Sequence, residues 1–462
     1  MIIRIDNKIY IHEPSSAIIA YCKKNLMLDN PDYYKMQKLG KWTGNTPKQI
    51  CLYKRDGEDL ILPFGCLRDV WNMHPVRNDY VSDIEPIQKL DYQSNIDLYP
   101  YQEDAVCKAT RAKNGVLVMP CGSGKTMVGI ELIARIGGRA LWLTHTQDLL
   151  TQSKQRAESV LSLGLMDVGI ITAGKVSIGK KLTIATVQTM AKIDLRQYWN
   201  AWDVIIVDEC HHAVSCPSKI TMFGKVLSGL SARYKFGLTA TPKRADGLER
   251  AMFALLGDKI CEVTKEDVAH TTCPVKVNVV QTDWMPDYDA VLMGDGTLDY
   301  AKLIDNMIHS EERFEKVMDV INSIPHANPV MVLANRIEYL QNMLTNYEKT
   351  GVCLSGQGQS KKAKAERKEA LERLNNGEID AVFASYKLAA EGLDCPNLRY
   401  IVFATPEKND ATVIQAMGRV GRKAQGKECG TVIDFVDLFG LYQGWFKKRK
   451  GYYKKIDAEV IE

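Results

Sequence analysis

Two series of short apolar runs, each run followed by a stretch with helical spacing, limit what this chain can fold into more than any other feature. The first series is Val116–Met119, Ala140–Leu143, Leu182–Ala185, Val204–Val207 and Tyr234–Leu238. The second is Val330–Leu333, Ala381–Ala384, Tyr400–Ala404 and Thr431–Phe435. Such runs are too short for buried helices, and their unbroken apolarity belongs to strands covered on both faces. Strands alternating with helices give parallel sheets, so the expected fold is α/β with two such sheets in tandem. The 462 residues leave room for about three domains.

Composition narrows the class. Hydrophobic residues make up 45% and charged residues 25%, which is globular and not disordered. The longest apolar runs, such as Val204–Val207, are too short to cross a bilayer, so no membrane partner is expected. The start, Met1-Ile-Ile-Arg-Ile-Asp-Asn-Lys8, lacks the basic and then apolar pattern of a secretory signal. Twelve cysteines without a C-x-x-C pair read as free thiols in a reducing, cytoplasmic setting, not as a disulfide framework. A net charge of +4 permits a nucleic-acid partner without requiring one.

Residues 1–90 read as a separate small α+β domain. A strand is expected over Met1–Ile11, a helix over Ser16–Leu28, and a hairpin joining Ile50–Tyr53 to Leu60–Leu62 around Asp56-Gly57. Its 13 basic and 11 acidic residues nearly balance, but the first fifty carry 8 against 4. The further expected boundaries are 91–272 and 273–440 for the two α/β parts and 441–462 for a basic, aromatic tail. Asp283–Ile308, polar and broken by Pro286, Gly294 and Gly296, reads as a connecting or inserted segment, and Ser360–Leu374 as a solvated charged helix.

Three motifs carry chemistry. In Val116-Leu-Val-Met-Pro-Cys-Gly-Ser-Gly-Lys-Thr126, an apolar strand runs through a glycine-containing turn into a helix. Gly122, Ser123 and Gly124 would point backbone N–H groups at a polyphosphate, Lys125 would reach its β- and γ-phosphates, and Thr126 would ligate Mg²⁺. Met119 stands where the full P-loop pattern has its first glycine. In Val204-Ile-Ile-Val-Asp-Glu-Cys-His211, a buried strand ends in two acids at the edge where such sheets bind ligands. Asp208 would hold Mg²⁺ and Glu209 would polarise the attacking water. In Gln415-Ala-Met-Gly-Arg-Val-Gly-Arg422, helical spacing would put Gln415, Arg419 and Arg422 on one face, suited to a water and a departing γ-phosphate. Cys210-His-His-Ala-Val-Ser-Cys216 also offers zinc-binding residue types, but they crowd into seven positions without a second pair, so the histidines read as coupling groups.

With these motifs in order, the chain from Leu98 to Asp437 resembles the superfamily 2 helicases and translocases of DExH type. That resemblance implies two RecA-like lobes. It makes Leu98-Tyr-Pro-Tyr-Gln102 an adenine-reading element, with Tyr101 and Gln102 as contacts. Thr144-His-Thr-Gln-Asp-Leu-Leu-Thr-Gln152 is similar to motif Ia, and Thr186-Val-Gln-Thr-Met190 to a later strand-contacting motif. Asp208-Glu-Cys-His211 resembles motif II, and Leu238-Thr-Ala-Thr-Pro242 motif III, so His211, Thr239 and Thr241 would couple hydrolysis to movement. Glu391-Gly-Leu-Asp394 resembles motif V, adding Gly392 and Asp394 to the nucleotide contacts. Thr239–Gly247 together with Glu391–Pro396 looks like the XPB-like and phage UvsW-like DNA helicases, and Asn30-Pro-Asp-Tyr33 to Leu62-Pro-Phe-Gly65 resembles the small N-terminal domain of phage and bacterial relatives, where a DNA-binding role is usual.

The sequence therefore leads to an ATP- and Mg²⁺-dependent DNA helicase or translocase. Polar residues at strand ends, Thr144, Thr186, Asn335 and Ser385, are the candidate backbone contacts, joined by Lys447, Lys448, Arg449 and Lys450 of the tail. The rivals are an RNA helicase, the motor subunit of a restriction or defence complex, and a nucleic-acid clamp that uses ATP as a switch. An intact Glu209 and arginine pair disfavour the clamp.

Overall fold

A computed structural model describes residues 1–462 apart from 121, 214, 217–218, 241–246, 270, 295, 355–360, 387 and 389–394, and apart from the side chains of 215–216, 219–220, 265, 361–362, 364, 410–411 and 455. The chain forms two compact units, Met1–Thr264 and Lys265–Glu462.

The first unit carries two sheets of five or more strands, beside two-stranded pairs. The small one holds β1 (Ile2–Ile5), β2 (Lys8–His12), β3 (Lys54–Asp56), β4 (Asp59–Pro63) and β5 (Tyr80–Ser82), in the order β3-β4-β2-β1-β5. The apolar start of the chain is thus a hairpin and not one strand, because Asp6 and Asn7 turn it and Ile5 pairs with Ile9. Helix Ser16–Asn25 follows, with the Ser15 hydroxyl accepting from Ile18 N. The turn at Asp56-Gly57 is present, but it joins Lys54–Asp56 to Asp59–Pro63. Residues Gln49–Cys51 pair instead with Met27–Asp29.

The large sheet of this unit holds β6 (Asn114–Val118), β7 (Ala140–Thr144), β8 (Val168–Thr172), β9 (Lys175–Val176), β10 (Leu182–Thr186), β11 (Val204–Asp208), β12 (Tyr234–Thr239) and β13 (Lys259–Glu262). Their order is β9-β8-β10-β7-β11-β12-β6-β13, and every pairing is parallel except β8 with β9. All residues of β7, β10 and β11 are buried, as strands covered on both faces require.

The small sheet does not keep a core to itself. Ile3, Ile9, Leu60 and Phe64 share one apolar cluster with Leu248, Ala251 and Ala254 from the region of helix Glu249–Leu256. Gly65 is the point of closest approach, where any side chain would run into the carbonyl of Phe253. Arg250 adds a contact with Asp69 at 3.6 Å and donates to the Tyr21 hydroxyl at 3.3 Å. Lys235, wholly buried on β12, places its ammonium 4.5 Å from the centre of the Phe64 ring.

The second unit is one seven-stranded sheet: β14 (Val275–Thr282), β15 (Val330–Ala334), β16 (Gly351–Cys353), β17 (Ala381–Ser385), β18 (Tyr400–Phe403), β19 (Gly430–Asp437) and β20 (Glu459–Ile461). The order is β16-β17-β15-β18-β19-β14-β20 and all pairings are parallel. Two expectations are corrected here. Of the two readings of Asp283–Ile308 the connecting one falls, since the segment contains helix Tyr300–Ile308 and buries Trp284, Val291, Leu303 and Met307 in the core of the unit. The supposed tail is helix Gly440–Lys455 followed by β20, with Phe446 and Tyr453 in one core cluster and Tyr442 in the other. Among the described residues no helix is long and apolar enough to cross a membrane.

Candidate functional site

The P-loop strand β6 leaves the sheet beside β12, with Met119 N donating to Thr239 O at 2.9 Å. Pro120 O then accepts from both Ser123 N (3.2 Å) and Ser123 Oγ (2.7 Å), which closes the turn. Gly122 and Gly124 have φ of +84° and +76°, a conformation that side chains resist, and helix Lys125–Ile136 starts directly after them. The result is a helix N-terminus at the end of a parallel strand, the geometry that suits a phosphate.

Gln102 and Tyr101 reach this loop. Gln102 is buried; its Oε1 accepts from Tyr99 N at 3.0 Å and its Nε2 donates to Ser123 O at 2.8 Å, while the Tyr101 hydroxyl donates to the same carbonyl at 3.1 Å. One amide atom of Gln102 thus caps its own helix and the other holds the P-loop in place, a role the sequence did not disclose. Tyr99 lies parallel to Tyr101 with ring centres 5.8 Å apart and is half exposed, which adds an aromatic surface at this position.

Across the sheet edge, β11 delivers Asp208 and Glu209. Glu209 has φ +49° and ψ +52°, the left-handed region that a glutamate occupies only at a cost. This turn directs the two adjacent carboxyls differently. Lys125 Nζ lies 3.4 Å from Glu209 Oε1, and His211 Nδ1 lies 3.3 Å from Glu209 Oε2 and 3.1 Å from Thr239 Oγ1. One connected path thus runs from the P-loop lysine through Glu209 and His211 to the end of β12. Burial alone would raise the Glu209 carboxyl, but Lys125 and His211 outweigh it and hold it below the usual range. Burial, with the Glu209 charge, pushes Asp208 the other way, up to about 7. A buried carboxyl whose charge is disfavoured by its surroundings fits a divalent cation, which would restore that charge.

The ring cluster around this path was only partly foreseen. His211 and His212 have ring centres 4.1 Å apart, and His145, just past β7, lies 4.9 Å from His212. Burial holds the His145 ring below the ordinary histidine range. Its sequence signal is a histidine immediately after a strand end, inside Thr144-His-Thr146.

Several proposed nucleic-acid contacts need correction. Thr144 and Thr186 are buried side by side in register, the first donating to Thr146 O at 3.0 Å and the second sharing a 3.0 Å hydrogen bond with the Thr189 hydroxyl. Their hydroxyls fasten the turns after β7 and β10 and do not face outward. Arg449 is 1% exposed and forms a two-pronged pair with Asp434, at 2.9 and 2.8 Å, while the Tyr453 hydroxyl donates to the same carboxylate at 2.6 Å. Phosphate binding by Arg449 is therefore ruled out. Lys447 and Lys448 are exposed, Lys450 is paired with Glu462, Asn335 is exposed with its amide donating to Pro406 O at 3.2 Å, and Ser385 Oγ accepts from Leu388 N at 3.3 Å.

In the second unit, Gln415 and Arg419 lie on helix Asp410–Val420, but the helix ends before Arg422. Arg422 is placed instead by an isolated bridge to Thr272, next to the hydrogen bond from Cys273 N to Gly421 O at 2.9 Å. The single-face arrangement read from spacing holds for Gln415 and Arg419 alone. Thr241, Gly392 and Asp394 lie outside the described residues.

A P-loop, an acid pair and a paired parallel-sheet architecture define a nucleotide-hydrolysing motor of the helicase class. Residues 95–244 match the family described as the type III restriction enzyme res subunit, and residues 312–424 the helicase conserved C-terminal domain. The chain belongs to the superfamily 2 helicases and is an ATP-dependent hydrolase with XPB-like relatives. It is 25% identical over 364 residues to the DNA 3'-5' translocase XPB2 of Sulfurisphaera tokodaii, covering 72% of this chain and 80% of that one. It is 27% identical over 394 residues to a protein of Acanthamoeba polyphaga mimivirus provisionally named an ATP-dependent RNA helicase, covering 82% of this chain and 71% of that one. Its fold is similar to that of the ATP-dependent type ISP restriction-modification enzyme LlaBIII bound to DNA, with a TM-score of 0.57 and 17% identity over 79% of this chain and 31% of that one.

Proposed function

We propose that this chain is a motor that moves on or remodels DNA, using Lys125, Glu209 and His211 to link ATP hydrolysis to the sheet edge. The contact that carries the reading is Lys125 Nζ to Glu209 Oε1 at 3.4 Å. When the lysine turns to the β- and γ-phosphates it releases that oxygen, and Glu209, already deprotonated, can orient the attacking water. His211 keeps the other oxygen in place and relays the change to Thr239. Thr126 and Asp208 would hold Mg²⁺, which supplies charge neutralisation on the phosphates. Arg419 and Arg422 would add positive charge for the departing γ-phosphate, a contribution that can be worth roughly 10³-fold in rate.

DNA is favoured over other polymers by the likeness to the XPB2 translocase. The mimivirus relative supports RNA as the second reading. Steady-state ATPase activity measured side by side with no polymer, single-stranded, duplex, forked and four-way DNA, and RNA decides between them. Stimulation by DNA supports the proposal. Stimulation by RNA alone replaces it with the second reading, and no stimulation by any polymer refutes both.

A further inference from the structure

Residues 30–48 build a small feature that ATP chemistry leaves unused. Helix Pro31–Lys38 is capped by the Asn30 side chain, which accepts from Asp32 N at 3.1 Å. The loop after the helix is tied down along its length: Lys41 N donates to Met36 O at 2.9 Å, Thr46 N to Thr43 O at 2.9 Å, and Asn30 Nδ2 to Pro47 O at 2.8 Å. Between helix and loop lies a cavity of about 710 Å³ whose walls include Lys35, Lys41 and Asn45.

On this frame Trp42 is 88% exposed. The edge of its indole lies over Gly44, where a Cβ would come within 2.8 Å of Cζ3, so the glycine is what lets the ring settle there. Leu39 and Tyr34 are exposed beside it in sequence. Lys35, Lys38, Lys41 and Lys48 are all exposed as well, against only Asp29 and Asp32 over the same stretch. A large ring seated on a tied-down loop in a stretch with an excess of cations is an unusual surface for a protein to leave in water. An apolar protein partner would have to desolvate four ammonium groups, whereas a polyanion with flat rings satisfies both features. Base faces are open only where the strand is unpaired.

We propose that helix Pro31–Lys38 and the loop through Lys48 grip single-stranded nucleic acid, with Trp42 stacked on one base and Lys35, Lys38, Lys41 and Lys48 facing phosphates. The inference rests on the reading of the chain as a nucleic-acid motor and names where in its first unit the strand is held.

The test is equilibrium binding of fluorescent oligo-dT, oligo-rU and a blunt DNA duplex to the full chain and to Trp42→Ala, Trp42→Tyr and the double variant Lys35→Ala/Lys41→Ala. Basal ATPase without polymer serves as the control for folding. Trp42→Ala should weaken oligo-dT or oligo-rU binding by about tenfold, and Trp42→Tyr should restore most of it. Lys35→Ala/Lys41→Ala should lower the salt slope of binding by about 1.4. Basal ATPase should be unchanged in all of them. If Trp42→Ala binds both oligomers as the parent does, or loses only duplex binding, the grip is refuted while the motor reading stands. If the parent binds no polymer and none stimulates its ATPase, both readings fall.

Discussion

Glu209 concentrates more of the chemistry than any other residue. It is buried, bent into a left-handed backbone, and held between a lysine and a histidine. Lys125→Ala should cut ATP turnover by about 10²–10³-fold, measured as phosphate release at saturating polymer. Glu209→Gln keeps the size of the side chain and removes its charge. It should leave ATP and nucleic-acid binding within about twofold and slow hydrolysis by about 10²–10⁴-fold in single turnover. Fast turnover by either variant would displace the site. At this scale the sequence was informative where chemistry demands a residue type at a fixed spacing, as in Gly122–Thr126 and Asp208-Glu209. It was uninformative about Gln102, whose amide reaches Ser123 in a later loop, and about Thr144, whose hydroxyl turns inward to Thr146 O.

Among the elements, helix Gly440–Lys455 overturned the most. Its composition, lysines mixed with aromatic rings, suits a solvated nucleic-acid arm and an amphipathic core helix equally well. Burial of Phe446, Arg449 and Tyr453 on one side and exposure of Lys447 and Lys448 on the other decide for the second. Removing one partner of a buried pair leaves the other charged in the interior. Arg449→Met should therefore destabilise the second unit by about 3–5 kcal/mol in urea melts, and adding Asp434→Asn should recover a large part. Deleting residues 445–462 should unfold this unit, and a deletion variant with an intact second transition would contradict the core assignment. Strands β6, β7, β10, β11 and β12 were legible because unbroken apolar runs have few other uses. Strand β14, with Lys276 and Asn278 among its valines, was not.

For the molecule as a whole, the expected independent domain of residues 1–90 shares its core with Leu248, Ala251 and Ala254. A fragment of residues 1–90 should be largely unfolded by circular dichroism, whereas residues 1–264 should melt cooperatively and bind ATP. Lys235, in this shared region, provides a pH signature. Burial lowers its ammonium to about 7 against the ordinary lysine value, so the unfolded chain binds more protons above that point. The penalty for burying it is full below about pH 7 and is relieved as pH rises towards the unfolded value. First-unit stability should thus gain from pH 7 to pH 9.5 relative to Lys235→Met, and parallel curves for the two proteins would rule this out.

The placement of β14 also dictates an order of events during synthesis. This strand pairs along its whole length with β19, and Thr282 bonds to Asp437 across 155 positions of chain. The first unit has all its strands once Glu262 has been made, but the second cannot assemble its sheet until β19 has left the ribosome. Translation interrupted anywhere between would release a folded nucleotide-binding half attached to an unpaired, aggregation-prone strand. Ribosome stalling late in the message is therefore a hazard of a different kind from stalling early.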